Sequence, residues 1–204
     1  LNPETGLPML DGDRGHLVAR RANYKKDNLE APEIIYNPDL KEYYLFVSYD
    51  PLMTTYNVRV GRSDKAEGPF IDYFGKELKD TTNNFPILTA PYRFKNHPGW
   101  AGTAHCAVFT SDDGQYFMAH QGRLSPQNQM MDLHVRQVFF TKDGWPVVSP
   151  ERYAGSNPRE FSAADLVGEW EIIRVQEPLY ERKLEAGQIL WGEGELQDEE
   201  WNMS

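Results

Sequence analysis

Short apolar segments, separated by polar turn residues, recur along the first 150 residues of the chain. They are rich in Tyr, Phe and Val, which favour β-strands, and no stretch shows the 3.6-residue apolar period of an amphipathic helix. The predicted strands cover residues 42–49, 55–63, 105–110, 115–121, 131–141 and 145–148. The pattern therefore predicts an all-β fold.

The segments also repeat. A shift of 73 residues aligns six similar pairs: Ala31 with Ala104, Ile35 with Val108, Tyr36 with Phe109, Asp39 with Asp112, Tyr43 with Tyr116 and Leu45 with Met118. In each unit a turn-forming segment, 37–39 or 112–114, joins two strands of a predicted hairpin. Repeated units of short antiparallel strands indicate blades of a β-propeller. A ring needs roughly four to eight blades, so the others are expected outside this chain.

Composition and charge exclude several classes of function. The 204 residues are 40% hydrophobic and carry a formal net charge of −10, without the cluster of Lys and Arg that nucleic-acid binding needs. No run of 18 apolar residues predicts a membrane span, and the lone Cys106 cannot form an internal disulfide. The chain opens at Leu1 with turn-forming residues rather than a leader sequence, so we expect an interior piece of a longer product.

A change in composition after Gly155 predicts a second unit. We assign residues 1–155 to propeller blades and residues 156–204 to a linker and a truncated C-terminal β domain of the sandwich or barrel type. Residues 157–160 are typical of a linker, and residues 167–174 and 189–192 of new strands. This last part is too short to fold alone.

Two polar residues stand near the first strands of the two units. Glu30 and His105 are expected to face one central channel, because the innermost strands of all blades line it. A carboxyl group in an aromatic-lined cavity can have its pKa raised and act as a general acid, and Pro32 restricts how Glu30 is aimed. The competing interpretation of Glu30 is an ordinary solvated residue. His105 is either a hydrogen-bonded structural residue, or a metal ligand or substrate contact.

Other polar residues are weaker candidates. His120, like His105, is either a hydrogen-bonded structural residue, or a metal ligand or substrate contact. Arg62 and Arg136 either pair with carboxylates between strands or contact a sugar. Cys106 lacks a nearby base and is interpreted as a small core residue.

A second carboxyl group is harder to identify. Glycoside hydrolysis needs two of them, on opposite faces of the sugar. Asp50, Asp72 and Asp132 lie at strand ends or in turns, where Asp is expected structurally, and Glu33 falls inside a strand. Glu30 is therefore the one convincing candidate in this sequence.

Five segments carry a resemblance to a known family. They are Glu30-Ala31-Pro32, residues 43–48, residues 55–63 followed by Gly68-Pro69-Phe70, residues 133–140 and residues 143–153. Together they resemble glycoside hydrolase family 43, and within it the two-domain endo-α-1,5-L-arabinanases. The similarity runs from residue 1 to about residue 155. The chain departs from the family's pattern in its short loop 50–54 and in Thr103-Ala104 before the histidine.

The resemblance implies a five-bladed propeller that hydrolyses the arabinan backbone with inversion. Glu30 matches the family's general acid, whereas the general base and the pKa-modulating residue, both Asp, are expected upstream of this chain. His105 matches a histidine beside a calcium ion that is held largely by water. Tyr56, Arg62 and His120 are predicted to bind substrate. The implied partners are arabinan or an arabino-oligosaccharide and the upstream half of the same protein. A polymeric substrate implies a secreted or periplasmic location.

Three alternatives stay open at this stage. An exo-arabinofuranosidase or a β-xylosidase uses the same scaffold with different loops around the groove. A non-catalytic carbohydrate-binding remnant would keep the channel and lack the base. A propeller that serves only as an interaction module would need neither Glu30 nor His105.

Overall fold

The computed structural model describes residues 1–21, 29–80, 84–127, 129–155, 160–173 and 175, together with the backbone of 199–203. It confirms the all-β prediction. The strands are β1 (Leu29–Asn37), β2 (Glu42–Tyr49), β3 (Asn57–Ser63), β4 (Ile87–Thr89), β5 (Trp100–Ala101), β6 (Ala107–Thr110), β7 (Tyr116–Leu124), β8 (Asp132–Phe140), β9 (Pro146–Val148), β10 (Gly168–Ile172) and β11 (Glu199–Met203). The helical element in this part of the chain is a 3₁₀ turn at Ala163–Leu166, and no described helix is long and apolar enough to cross a membrane.

Two antiparallel sheets contain most of the strands. The first sheet has the order β1-β2-β3-β4. In the second, β5, β7, β8 and β9 are neighbours in that order, and β6 also pairs with β7. All six predicted strands are present, with ends shifted by at most three residues. The sequence pattern does not predict β4 and β5, because three and two residues are too few to show a period.

The predicted hairpin turns are confirmed, and they differ in length. Between β1 and β2 the side chain of Asn37 accepts hydrogen bonds from the backbone N–H groups of Asp39 (3.0 Å) and Leu40 (3.2 Å). Residues 38–41 form that loop, whereas residues 111–115 join β6 to β7. The second loop is therefore one residue longer.

This extra residue corrects the predicted repeat. Ile34 pairs with Leu45 in the first sheet, and Val108 pairs with Met118 in the second. A shift of 73 thus holds for the second strand of each unit, but the first strands are related by 74. The predicted equivalence of Ala31 with Ala104 is therefore wrong by one position. Ala31 corresponds to His105, and both have a left-handed backbone, with φ of 50° and 57°.

The main core lies between the two sheets. One face of the first sheet packs Leu45, Val47 and Tyr49 against Phe70 and Leu78. Its other face joins a larger apolar cluster with members from both sheets: Tyr44, Phe46, Val58, Val60, Val108, Met118 and Val138. The sheets thus pack face to face, as neighbouring propeller blades do.

Polar contacts join the sheets at the far end of β3. Arg62 donates to the carbonyl of Asp143 (2.7 Å), pairs with Glu42 at 3.4 Å and lies 4.5 Å from the centre of the Trp145 ring. The Tyr44 hydroxyl donates to the carbonyl of Gly144 at 2.6 Å. Arg62 therefore has the inter-strand pairing role that was one of its two predicted alternatives.

The C-terminal part contains a small separate sheet, in which β10 and β11 pair in antiparallel fashion. The predicted strand at 167–174 corresponds to β10. The predicted strand at 189–192 and residues 157–159 of the predicted linker lie outside the described residues. The division into residues 1–155 and 156–204 stays a prediction.

Candidate active site

A β-bulge near the start of β1 determines where Glu30 points. Glu30 pairs with Ser48, but Glu33 pairs with Phe46, so β1 holds one extra residue there. Without the bulge, residues three apart would face opposite sides of the sheet. The bulge places Glu30 and Glu33 on the same side as Ser48 and Phe46, which is the side that faces the second sheet.

Three side chains meet at this end of the sheets. The Tyr56 hydroxyl donates to Oε1 of Glu30 at 2.8 Å and lies 3.4 Å from Nδ1 of His105. The backbone N–H of His105 in turn donates to Oγ of Ser48 at 2.9 Å. The structure thus brings a carboxyl group, a phenol and an imidazole together across the two blades.

Tyr56 is the buried member of this group, with 1% of its surface exposed. Burial raises the pKa of its hydroxyl group, and the hydrogen bond to Glu30 raises it further. The hydroxyl group is therefore protonated at any physiological pH and can act as a fixed donor. The hydrogen bond shows that Tyr56 can orient Glu30, and the predicted direct contact of Tyr56 with substrate stays a prediction.

A polar network holds the loop that ends at Tyr56. Asp50, with a left-handed φ of 72°, accepts a hydrogen bond from Asn57 (2.7 Å), pairs with Arg59 at 3.4 Å and also pairs with Arg21. Asn57 further donates to the carbonyl of Thr55 at 2.9 Å. Since these partners fix the loop on both sides of Tyr56, the phenol is held in place before any substrate binds.

Gly102 allows this loop to approach the segment that carries His105. Its φ is 60°, and an added Cβ would lie 2.6 Å from the carbonyl oxygen of Leu52. Its N–H donates to the carbonyl of Thr54 at 3.0 Å. Only glycine tolerates both the backbone conformation and the contact.

An open cleft of about 630 Å³, which is within the range of small-molecule sites, is lined by His105 and by Ala31, the residue after Glu30. Its walls come from β1, the segment before β6, β7 and the start of β8, and include Pro32, Glu33, His120 and Asp132. The lining therefore contains two carboxyl groups, those of Glu33 and Asp132, and Glu30 lies beside it.

His120 contributes to the cleft wall from a buried position. It is 1% exposed, its Nδ1 lies 2.7 Å from the carbonyl oxygen of Gln121, and its ring stacks on His134 at 5.1 Å. Burial, with a smaller effect of Arg136, holds its pKa well below the usual range of histidine, so the ring is neutral. The predicted contact of His120 with substrate stays a prediction.

Arg62 lies away from this group of side chains, and Cys106 is unreactive. Arg62 is six residues beyond Tyr56 along β3, about 20 Å away at the rise of a strand, and the structure does not bring it to Glu30. Burial raises the pKa of the Cys106 thiol to about 12, which leaves it unreactive, as expected of a core residue.

The residues described here form no group of three or more potential metal ligands. His105 is the predicted ligand, and calcium prefers six to eight oxygen ligands. The donor set therefore fits only an ion that takes most of its ligands from water or from outside these residues.

Sequence reasoning missed Ser48 and the bulge at Ala31. Ser48 lies in an apolar strand, where a small hydroxyl residue is an ordinary occurrence. The bulge is formed by an alanine with positive φ, and alanine gives no signal of that conformation. The polar spacing of Asp50 and Asn57 around Tyr56 was the one available indication of a constrained loop.

Comparisons with known proteins identify the family. The family model for glycosyl hydrolases family 43 matches residues 10–146. The extracellular endo-α-(1→5)-L-arabinanase 2 of Bacillus subtilis (strain 168) is 30% identical over 85% of this chain and 41% of its own length. An extracellular exo-α-(1→5)-L-arabinofuranosidase of Cellvibrio japonicus is 28% identical over 59% of this chain and 33% of its own length.

The solved structures give the same result. The crystal structure of endo-1,5-α-L-arabinanase from Thermotoga petrophila RKU-1 in complex with TRIS matches with a TM-score of 0.78 and 27% identity, over 87% of this chain and 42% of that chain. This chain thus spans about two fifths of the length of the endo-arabinanases it matches. Its two sheets are two blades of a five-bladed propeller, and the chain belongs to glycosyl hydrolases family 43.

Proposed function

We propose that this chain is the C-terminal part of the catalytic propeller of an inverting endo-hydrolase of α-1,5-L-arabinan, with Glu30 as the general acid. The observation that carries the proposal is the 2.8 Å hydrogen bond from Tyr56 to Glu30, beside His105 and an open cleft. Membership of family 43 and the names of the endo-arabinanase relatives support the reaction and the substrate class.

The hydrogen bond also identifies the oxygen that would carry the proton. A general acid protonates the leaving oxygen of the glycosidic bond while a base on the other face of the sugar activates water. Tyr56 donates to Oε1 of Glu30, so Oε1 must act as an acceptor. The proton is then on Oε2, and Tyr56 fixes the rotation of the carboxyl group about its last bond.

The proposal places the general base and the pKa-modulating Asp in the upstream half of the protein. The share of its relatives that this chain spans supports a missing part of that size. The outward face of the second sheet supports it too, since Phe109, Leu133 and Phe139 are 46%, 72% and 44% exposed. A propeller blade normally covers such a face with the next blade.

The first test is the release of reducing ends from linear α-1,5-arabinan by the full-length protein. We expect Glu30→Gln to lose about 10²- to 10⁴-fold in kcat, as is typical for loss of a general acid. Glu33→Gln and Asp132→Asn are the matched controls, because each removes a carboxyl group from the neighbouring cleft. Both should keep most of the activity.

A second substrate separates the acid role from a general loss of structure. An aryl glycoside whose leaving group has a low pKa needs little protonation, so Glu30→Gln should cleave it almost as fast as the wild type. Undiminished cleavage of arabinan by Glu30→Gln would remove Glu30 from the mechanism. No cleavage by the wild type would point to another glycan or to a non-catalytic sugar-binding protein.

The exo-acting alternative is supported by the Cellvibrio japonicus relative. The products formed early in the reaction distinguish the two modes. An endo enzyme gives a mixture of oligosaccharides and a rapid fall in polymer length. An exo enzyme gives a single small product while the polymer stays long.

The proposal also includes a calcium ion and a secreted location. A calcium ion beside His105, held largely by water, would add positive charge to the channel and orient water molecules. Calcium titration of the full-length protein would refute this role if His105→Ala bound the ion as tightly as the wild type.

The extracellular names of the relatives support a secreted protein, and fractionation of the producing cells would test it.

A further inference from the structure

Arg136 in β8 is a buried charge without a partner. Only 3% of the residue is exposed, and its guanidinium group lies 4.7 Å from the centre of the Tyr92 ring. Its Nε and Nη2 atoms are buried and have no hydrogen-bond partner, and no Asp or Glu of the described residues forms an ion pair with it. An unpaired buried cation is costly, so this site calls for a compensating ligand.

A small cavity lies where such a ligand would fit. It has a volume of about 50 Å³ and is lined by Arg136 and Tyr92, with mostly apolar walls that include Leu88, Val148 and Ile173. The Tyr92 hydroxyl group is also buried without a partner in this part of the chain. Three hydrogen-bond donors therefore belong to side chains that line one cavity, with room for about one or two species the size of water.

The charges around the cavity are positive in sum. Burial raises the pKa of Tyr92, Arg136 and Arg152 act in the lowering direction, and Glu151 acts in the raising direction. The charged groups that act on Tyr92 are therefore two guanidinium groups and one carboxylate. Burial lowers the pKa of Arg136 itself, and Tyr92 and Glu151 oppose this effect only in part.

We propose that this cavity binds a monoatomic inorganic anion of the size of chloride, with Arg136 Nε–H, Arg136 Nη2–H and the Tyr92 hydroxyl group as donors. A guanidinium group has donors only, so it favours an anion over a neutral water molecule, and the apolar walls strengthen that preference. The small volume favours a monoatomic anion over the larger phosphate and sugar acids. The anion ties β8 to the segments at 88–92 and 148–150, and this role does not depend on which glycan the protein cleaves.

Bromide can stand in for chloride in a direct test. Crystals of the full-length protein grown with sodium bromide should show an anomalous peak within hydrogen-bonding distance of Arg136 and Tyr92. A water molecule or a protein side chain in the cavity, without an anomalous peak, would overturn the proposal.

Thermal unfolding gives a second test with a matched control. At constant ionic strength, replacing sodium gluconate by sodium chloride should raise the unfolding midpoint of the wild type, because an anion that binds only the folded state stabilises it. Arg62→Met should keep this dependence, since Arg62 also lies over an aromatic ring but is paired with Glu42. Arg136→Met should lose it.

Tyr92→Phe keeps the test decisive if Arg136→Met does not fold. It retains the ring under the guanidinium group and removes only the hydroxyl donor. The chloride concentration that gives a fixed rise in the unfolding midpoint should be about tenfold higher or more, as for loss of a hydrogen bond to a charged group. An unchanged chloride response in Tyr92→Phe, or the same midpoint of the wild type in both salts, would contradict the anion site.

Discussion

At the residue scale, Tyr56 and Glu30 have different proposed roles: Tyr56 orients the carboxyl group, and Glu30 donates the proton. The exposed carboxyl group of Glu30 is the candidate proton donor, and the buried phenol donates a hydrogen bond to it. If Tyr56 acts through Glu30, removing its hydroxyl group should matter only where Glu30 acts as an acid.

We therefore expect Tyr56→Phe in the full-length protein to lower kcat on arabinan about 10- to 100-fold and to leave KM nearly unchanged. The carboxyl group becomes charged as it gives up its proton, so the expected loss corresponds to one hydrogen bond to a charged group, roughly 1.5–3 kcal/mol. The matched control is Tyr49→Phe, which removes the hydroxyl group of another buried tyrosine that donates to Asn84 at 3.0 Å. This control should keep the wild-type kcat.

A double-mutant cycle with Glu30→Gln decides between orientation and packing. If Tyr56 works through the carboxyl group, Tyr56→Phe should cost little in a protein that already carries Glu30→Gln. Equal losses in both backgrounds would show that the hydroxyl group stabilises the fold instead.

At the scale of elements, the strands follow from composition, but the position of the site depends on local irregularities. Runs of Tyr, Phe and Val between turn residues predict β2 and the hairpin turn that precedes it. Composition does not predict the bulge at Ala31, because alanine has no preference for positive φ. His105 has the same left-handed backbone as Ala31. The second hairpin loop is one residue longer, so a constant shift of 73 does not align these two residues.

The sequence also does not predict the different environments of Arg62 and Arg136. Arg62 and Arg136 are similar in sequence context, yet one is paired at the far end of β3 and the other is buried under Tyr92 without a partner. Only the register of the strands and the fold of the connection between the blades separate these two environments.

The adjacent strands β7 and β8 carry a second testable feature, the stacked pair His120 and His134. His134 packs edge-on against Trp100 at 4.5 Å, and a side chain at Gly122 would collide with its ring. Burial lowers the pKa of His134 to about 4; Arg136 and Arg152 lower it as well, and Asp132 opposes them. The folded protein thus holds this imidazole neutral.

The sign of the pH effect follows from that shift. Between pH 6.5 and 4 the unfolded chain binds a proton at His134 that the folded chain does not, so the free energy of unfolding should decrease as the pH falls through this range. His134→Phe should make the decrease shallower in urea titrations at several pH values. The same change at the exposed His16 should leave the slope as in the wild type. An identical slope in His134→Phe would contradict a neutral buried imidazole.

At the scale of the whole molecule, the two described blades have one apolar face packed and one open. The shared core joins them, whereas Phe109 stacks on Phe117 at 5.7 Å on the outward face of the second sheet and stays 46% exposed. If the upstream half of the protein closes the ring against this face, the two halves should associate when produced as separate chains.

We expect each half alone to be inactive on arabinan, because the proposed acid lies in one half and the proposed base in the other. Co-production should restore cleavage. Phe109→Asp should reduce both association and activity, since it places a charge in the interface. Tyr73→Asp is the control, as Tyr73 is also exposed but packs against Trp145 in the other sheet's hairpin. Size-exclusion chromatography would report association and reducing-end release the activity. Association that Phe109→Asp leaves intact would show that the upstream half binds elsewhere, and activity of this chain alone would place the base among its own residues.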